Sequence, residues 1–215
     1  MSTLLLLIAA SLVASNSQQG LQMRFIGNDA FAISDGKRTI YVDFPYQSGA
    51  FGYMTYPANE VRTTTDSICI ITHAHPDHFA PALVKQVGCV VIGTPDVRAQ
   101  VDHAALPDFD ESWQIGDVRA KAFATPHGWI AHFSYLVAWH SKRLYISGDT
   151  DSAAELLSQQ SLDVLFVTPW LLKRLPTTWL RRNVRTVIVD HLKPTETLDC
   201  RTCVVPTQGQ VLTIH

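Results

Sequence analysis

The segment THAHPDH, residues 72–78, follows directly on the aliphatic run ICII, residues 68–71. An unbroken apolar run of this length reads as a strand buried on both faces, as in a sheet covered on each side. Its end delivers His73, His75, Asp77 and His78 almost together. Alternate residues of an extended segment point the same way, so His73 and His75 can grip one ion. Pro76 turns the chain out of strand geometry, and Asp77 and His78 then project toward a second position. In a chain of this length chance places four such residues together on the order of once in a thousand. Scattered surface histidines are therefore a poor explanation, and the fold has to open a buried strand onto a water-facing edge.

The same event recurs three times. His127 in TPHG follows the alternating run VRAKAFA, Asp149 in SGDT follows LYI, and His191 in VDH follows VIV. Strand ends in stacked α/β sheets share one edge, so these groups can converge there. Side chains held this way are fixed by the core and open to water, which a catalytic metal site needs. Two sets of donors imply two ions, about 3.5–4 Å apart if they work as a pair. Asp149 is the natural bridge, because a carboxylate has two oxygens. Imidazole and carboxylate suit zinc, and also manganese or iron.

Strand signals dominate the rest of the chain. LQMRFIG (21–27), DAFAISD (29–35) and RTIYVDF (38–44) are β-rich runs divided by turn residues, and they predict an antiparallel meander. Residues 45–61, rich in Gly, Pro and aromatics, read as a loop. Helices are expected over 80–87, over 94–102 behind Thr94 and Pro95, over 152–160, and over 170–182 with a break at Pro176. Further strands are expected at 89–93, 118–127, 162–169, 185–191 and 210–215, with a hairpin over 132–150 turning at HSKR. Strands in two batches with helices between the later ones predict two packed sheets with helices outside.

The chain has 215 residues, 47% hydrophobic and 17% charged, with a net charge of -2. That length supports one sizeable core. The near-neutral balance excludes a basic field for nucleic acid. Residues 1–17 combine an apolar run of about a dozen residues with small residues behind it, as in a secretory signal peptide, although no Lys or Arg precedes the run. Export to the periplasm or outside the cell is expected if this segment is a signal, and a cytoplasmic location otherwise. The run is too short to span a bilayer, which takes about 20 residues, so stable membrane insertion is not expected. Cys69 and Cys89 sit in apolar runs and read as core thiols. Cys200 and Cys203, in CRTC, read either as a surface disulfide or as two ordinary thiols.

From residue 21 to the end, the chain resembles the metallo-β-lactamase superfamily. Asp43 in IYVD, the HAHPDH cluster, His127 in TPHG, Asp149 in SGDT and His191 in VDH match that family's motifs in order. The resemblance implies an α/β fold, a four-layer αβ/βα sandwich of two mixed sheets face to face with helices outside, as a single domain over 21–215. It implies that His73, His75 and His127 hold a first divalent metal and that Asp77, His78 and His191 hold a second. Asp149 would bridge the two, with Asp43 orienting ligands from behind. Zinc is the first choice of metal, with manganese and iron as alternatives. The implied activity is that of a metal-dependent hydrolase, in which a metal-bridged hydroxide attacks a small ester-type substrate such as a lactone or phosphoester. Asp77 would also accept a hydrogen bond from the nucleophile.

The pairing of THAHPDHF with SGDT is most similar to the compact members typified by L-ascorbate-6-phosphate lactonase, whereas true β-lactamases usually lack an Asp at the position of Asp149. Two other readings stay open. One is a mononuclear iron oxygenase of the persulfide dioxygenase type, held by His73, His75 and His127. The other is a metal-binding protein without catalysis. The partner expected is a small-molecule substrate, and the oligomeric state is left open. His132 approaches the cleft in sequence, Lys193 is a candidate reader of a substrate carboxylate or phosphate, and Phe44, Tyr46, Phe51, Tyr53 and Tyr56 either cover the site or pack in the core. His103, His140 and His215 match no motif.

Overall fold

A computed structural model describes residues 20–108 and 110–214. The candidate signal segment 1–17 and His215 lie outside the described residues. The chain opens with three strands, β1 (Leu21–Gly27), β2 (Ala30–Ser34) and β3 (Thr39–Val42), which form the expected antiparallel meander. After two short 3-10 turns come β4 (Ser67–Ile70), helix α1 (Pro81–Val87) and β5 (Val90–Ile92), and here the pairing switches to parallel. Parallel neighbours need a crossover, and α1 supplies it. Helix α2 (Pro95–Arg98) then leads to a second batch: β6 (Ser112–Ile115), β7 (Val118–Ala124), β8 (Phe133–Trp139) and β9 (Lys142–Ile146), all antiparallel. Helix α3 (Ala154–Leu157), β10 (Leu162–Val167), helices α4 (Pro169–Leu172) and α5 (Thr177–Asn183), and β11 (Val184–Val189) complete it in parallel. The last strand, β12 (Val211–Ile214), returns to pair antiparallel with β1.

Two mixed six-stranded sheets result, in the orders β12-β1-β2-β3-β4-β5 and β11-β10-β9-β8-β7-β6. Side-chain alternation along the inner strands sorts residues into separate cores. Ile40, Val42, Ile68 and Ile70 point between the sheets, where they join Phe31, Tyr135, Trp139 and Phe166. Tyr41, Cys69 and Ile71 point outward and pack with Val84 and Val87 of α1. On the other sheet, Val164 and Phe166 face inward, whereas Leu165 and Val167 pack outward with Leu156 and Leu171 of α3 and α4. These three apolar layers account for the expected αβ/βα order. Each buried Phe, Ile, Leu or Val contributes roughly 1.5–3 kcal/mol of transfer free energy.

Several elements differ from expectation. Strand β6 lies between turn residues and was not foreseen; it pairs with β7 from Ser112↔Lys121 to Ile115↔Val118. The helices expected over 94–102 and 152–160 contract to single turns, Pro95–Arg98 and Ala154–Leu157. At the first of these, the Thr94 hydroxyl bonds to the Asp96 side chain rather than capping a backbone N–H, and Arg98 donates to Gly93 O and Glu111. The aromatics of 44–56 divide. Phe44, Tyr46 and Tyr56 join the core under α1, whereas Phe51 is exposed and Tyr53 lies against His191. Cys69 and Cys89 are buried, as expected of core cysteines, but they are bonded to each other. The α1 crossover returns β5 beside β4, with Ile68 opposite Val90, and brings the two Cα atoms within 5.8 Å. Cys200 and Cys203 are also disulfide-bonded.

Candidate metal centre

The polar residues expected to meet do so at the C-terminal ends of β3, β4, β7, β9 and β11. Strand β3 ends at Val42, and Asp43 turns into a left-handed conformation, φ 43°. Its fully buried carboxylate accepts hydrogen bonds from Thr72 N at 2.7 Å and Thr72 Oγ1 at 2.8 Å, and lies 3.0 Å from His78 Nδ1. This arrangement holds the loop after β4 and leaves His78 Nε2 facing the cleft. Thr72 Oγ1 also lies 3.0 Å from His73 Nδ1, which turns His73 Nε2 the same way. The other edge of the site is tied in by Phe133 N, which donates to Thr72 O at 2.9 Å, and by an isolated bridge between His73 and His132. Left-handed backbone recurs at Asn28 and His191, φ 56° for each. Such conformations in non-glycine residues tend to gather at functional sites.

Two groups of donors face each other. In the first, His75 Nδ1 lies 2.8 Å from His73 Nε2 and 3.3 Å from His127 Nε2. In the second, His78 Nε2 and His191 Nε2 are 3.1 Å apart. Asp77 Oδ2 lies 3.5 Å from His191 Nε2 and 3.6 Å from His78 Nε2. Asp149 stands between the groups: one oxygen is 3.2 Å from His191 Nε2, the other 3.4 Å from His78 Nε2 and 3.9 Å from His127 Nε2. The chemistry of this set fits divalent cations. Imidazole nitrogens converge in each group, and Asp77 Oδ1 is buried with no hydrogen-bond partner among the described residues. Buried polar atoms are nearly always satisfied, so an orphan here points to a missing partner of positive charge.

The electrostatics of the two groups differ. Burial, reinforced by neighbouring imidazoles, pushes His73 far down and His75 down, so these two imidazoles are neutral and ready to coordinate. Burial acts the same way on His78 and His191, but the carboxylates outweigh it. Asp149 and Asp43 hold His78 well above its usual range, and Asp149 with Asp77 pushes His191 up to about 10. Burial raises Asp149 and Asp77, yet His78 and His191 overcome it and hold both carboxyls below the usual range.

Three residues matter more than the sequence suggested. Asn28, in the turn between β1 and β2, donates from Nδ2 to Asp77 O at 2.8 Å, and its carbonyl accepts from His191 N at 3.1 Å. Asp29 joins His78, Asp149 and His191 in one compact donor group. It approaches His78 at Nδ1, 3.7 Å away, where Asp43 already sits closer. Asp77, facing both Nε2 atoms, is therefore the better-aimed donor, and Asp29 lies behind the ring. His132, an isolated histidine in the sequence, is buried under Asp149. Its Nε2 accepts from Asp149 N at 2.9 Å and its Nδ1 lies 2.8 Å from Thr125 Oγ1. Burial pushes it down to about 3, which suits the neutral tautomer this arrangement requires. Gly148 is needed above it: φ is +56°, and a Cβ there would come within 2.5 Å of His132 Nε2. Sequence alone offered no signal for any of the three beyond proximity to a motif.

Residues 22–170 match the family model described as the beta-lactamase superfamily domain. The chain belongs to the metallo-β-lactamase superfamily. By family it is a metal-dependent hydrolase. The matched span carries His73, His75, Asp77, His78, His127 and Asp149, and His191 lies beyond it. Among its relatives is a UPF0173 metal-dependent hydrolase of Thermus thermophilus, 25% identical over 169 residues, covering 67% of this chain and 69% of the relative. Another, from Dinoroseobacter shibae, is 24% identical over 156 residues, covering 63% and 66%. Among solved structures, the fold is shared with Igni18, a metallo hydrolase of Ignicoccus hospitalis (TM-score 0.68, 16% identity, 91% of this chain and 98% of that one). It is shared also with an isothiocyanate hydrolase from Delia radicum gut bacteria (TM-score 0.65, 14% identity, 90% and 99%). No helix among the described residues is long and apolar enough to cross a membrane.

Proposed function

We propose that this metallo-β-lactamase-fold protein is a two-metal hydrolase of small ester-type substrates, lactones or phosphoesters, as in the compact lactonase-like members. The observation that carries this reading is Asp149, whose carboxylate lies within 3.9 Å of His127 and within 3.4 Å of His78 and His191. His73, His75 and His127 would hold one cation, Asp77, His78 and His191 the other, with Asp149 shared. Zinc suits this mixture of imidazole and carboxylate best, with manganese and iron next. When bound, two such cations supply an acidified water near neutral pH and a Lewis acid for the substrate oxygen.

The chain's own residues do the rest. Asp77 stays ionised, and its carboxylate would also accept a hydrogen bond from the attacking water. Asp43 and Thr72 orient His78 and His73. His132 holds the backbone of Asp149. Trp129, fully exposed two residues after His127, and Phe51, 63% exposed with its ring 6.3 Å from that of His75, offer an apolar rim. Exposed aromatics beside a polar cleft commonly mark a ligand site. Lys193, 5.6 Å from the Tyr53 ring that in turn packs on His191, offers a positive charge for a substrate carboxylate or phosphate. The mononuclear iron reading uses only the first group and leaves four buried donors beside it unexplained. Two disulfides support export, since such bonds persist in oxidising compartments.

A panel of lactones, phosphodiesters, thioesters and an isothiocyanate, assayed with and without a chelator, tests the proposal. Cleavage of a lactone or phosphoester that a chelator abolishes and added metal restores is expected. A metal-loaded protein that cleaves no member of the panel would contradict it.

A further inference from the structure

The Cys200–Cys203 disulfide plays no part in the metal centre. It sits beside β11, the edge strand of the second sheet. There the following residue, Val204, donates from N to Val187 O at 2.8 Å and accepts from Val189 N at 2.9 Å. Arg185 stands at the beginning of β11 and His191 just beyond its other end, so the disulfide flank and the metal centre lie apart along the strand. A cavity of about 120 Å³ opens against the disulfide. Leu180 and Val187 give it an apolar floor, and Arg181, Arg185 and Thr202 line it with donors. Arg181, Arg182, Arg185 and Arg201 are all exposed, and Asp163 lies at the limit of ion-pair distance from Arg185, 3.9 Å. The two cysteines are only half-buried, whereas Cys69 and Cys89 are fully buried. A disulfide closing three residues also constrains the unfolded chain less than one closing 20, so its value as a staple is the smaller of the two.

We propose that Cys200–Cys203 is an exchangeable disulfide whose reaction partner is an anionic thiol, of the kind in which a cysteine sits in a short peptide with free carboxylates. The carboxylates of such a thiol would pair with Arg181 and Arg185 while its sulfur enters the cavity. Its thiolate attacks one cysteine sulfur. A new S–S bond forms, the Cys200–Cys203 bond breaks, and the other cysteine leaves as a thiolate that takes up a proton. A second thiol then resolves the mixed disulfide, so that two thiols are oxidised to one disulfide and the protein pair is reduced to two thiols. Neighbouring guanidinium charge favours both the approach of the anion and the departing thiolate. This activity does not rest on the metal-site reading.

The test uses the full chain and three thiols at equal thiolate concentration: reduced glutathione, neutral 2-mercaptoethanol and cationic cysteamine. Acid quenching and mass mapping follow each disulfide separately. Glutathione is expected to open Cys200–Cys203 about tenfold faster than cysteamine at low salt, with the gap closing at about 0.5 M salt. Arg181→Glu with Arg185→Glu should reverse the order, while Cys69–Cys89 stays intact throughout. Equal rates for the three thiols, a charge preference indifferent to salt, or a Cys200–Cys203 bond that survives roughly millimolar thiol as long as Cys69–Cys89 does, would each overturn the proposal. The comparison of thiols and salts uses the native protein, so it stands even if the double variant fails to fold.

Discussion

At the scale of the residue, the site is a set of short-range constraints on ring orientation. Asp43 takes His78 Nδ1, Thr72 takes His73 Nδ1, and each leaves a nitrogen for the cleft. The carboxylate of Asp149 reaches both groups, and its removal should therefore be selective. Asp149→Ala is expected to keep the fold, judged by circular dichroism, and to lose at least half of the bound metal by elemental analysis. Full metal content with full turnover would speak against a shared ligand. The second group also predicts coupling to protons. In the metal-free protein the folded-state pKa of His191 stands at about 10, above its ordinary value. Its charge therefore contributes stability that is fully present below the unfolded-state pKa of about 6.5 and is lost as pH rises toward about 10. Metal binding at neutral pH has to displace that proton. Titration with zinc at pH 7 in weakly buffered indicator should release protons and bind more tightly as pH is raised. Binding without proton release would show that His191 is not displaced by metal. The convergence of the seven candidate donors was legible in the sequence because each cluster follows an apolar run. Asn28, Asp29 and His132 were not, because the groups they meet at the site come from other elements and no motif of their own marks them.

At the scale of the element, the loop that carries four of the donors, from His73 to His78, lies inside the ring closed by Cys69–Cys89. The end of β4, the loop and α1 thus form one covalently closed unit, and β5 begins just after it. Closing 20 residues stabilises a fold by roughly 3 kcal/mol in the chain-entropy view. Cys69→Ser with Cys89→Ser should lower the free energy of unfolding by about that amount in urea titrations. An unchanged midpoint would show that packing alone holds the unit. The pairing was invisible in the sequence, where each cysteine looks like a small core residue. It follows from topology, since only the parallel return of β5 beside β4 brings the two together. Strands were legible wherever apolar residues ran together or alternated. Short helices were overextended, because side chains such as Thr94 and Arg98 satisfy local backbone and acidic partners instead of continuing the turn.

At the scale of the molecule, each sheet runs from antiparallel to parallel neighbours, and the switch sets the ends of β4 and β9 on the same edge. The closing strand β12 pairs with β1 in the opposite half of the chain, a long-range pairing that no local pattern foretells. The two groups of donors come from both sheets: His73, His75, Asp77 and His78 from the first, His127, Asp149 and His191 from the second. The site exists only when the sheets are packed, so metal binding should report on the whole fold. Crystals of the zinc-loaded protein, with data collected on both sides of the zinc absorption edge, test this most directly. Two anomalous peaks about 3.5–4 Å apart are predicted, one among His73, His75 and His127, the other among Asp77, His78 and His191, with Asp149 touching both. A single peak, or two peaks too far apart for one carboxylate to join, would contradict the account.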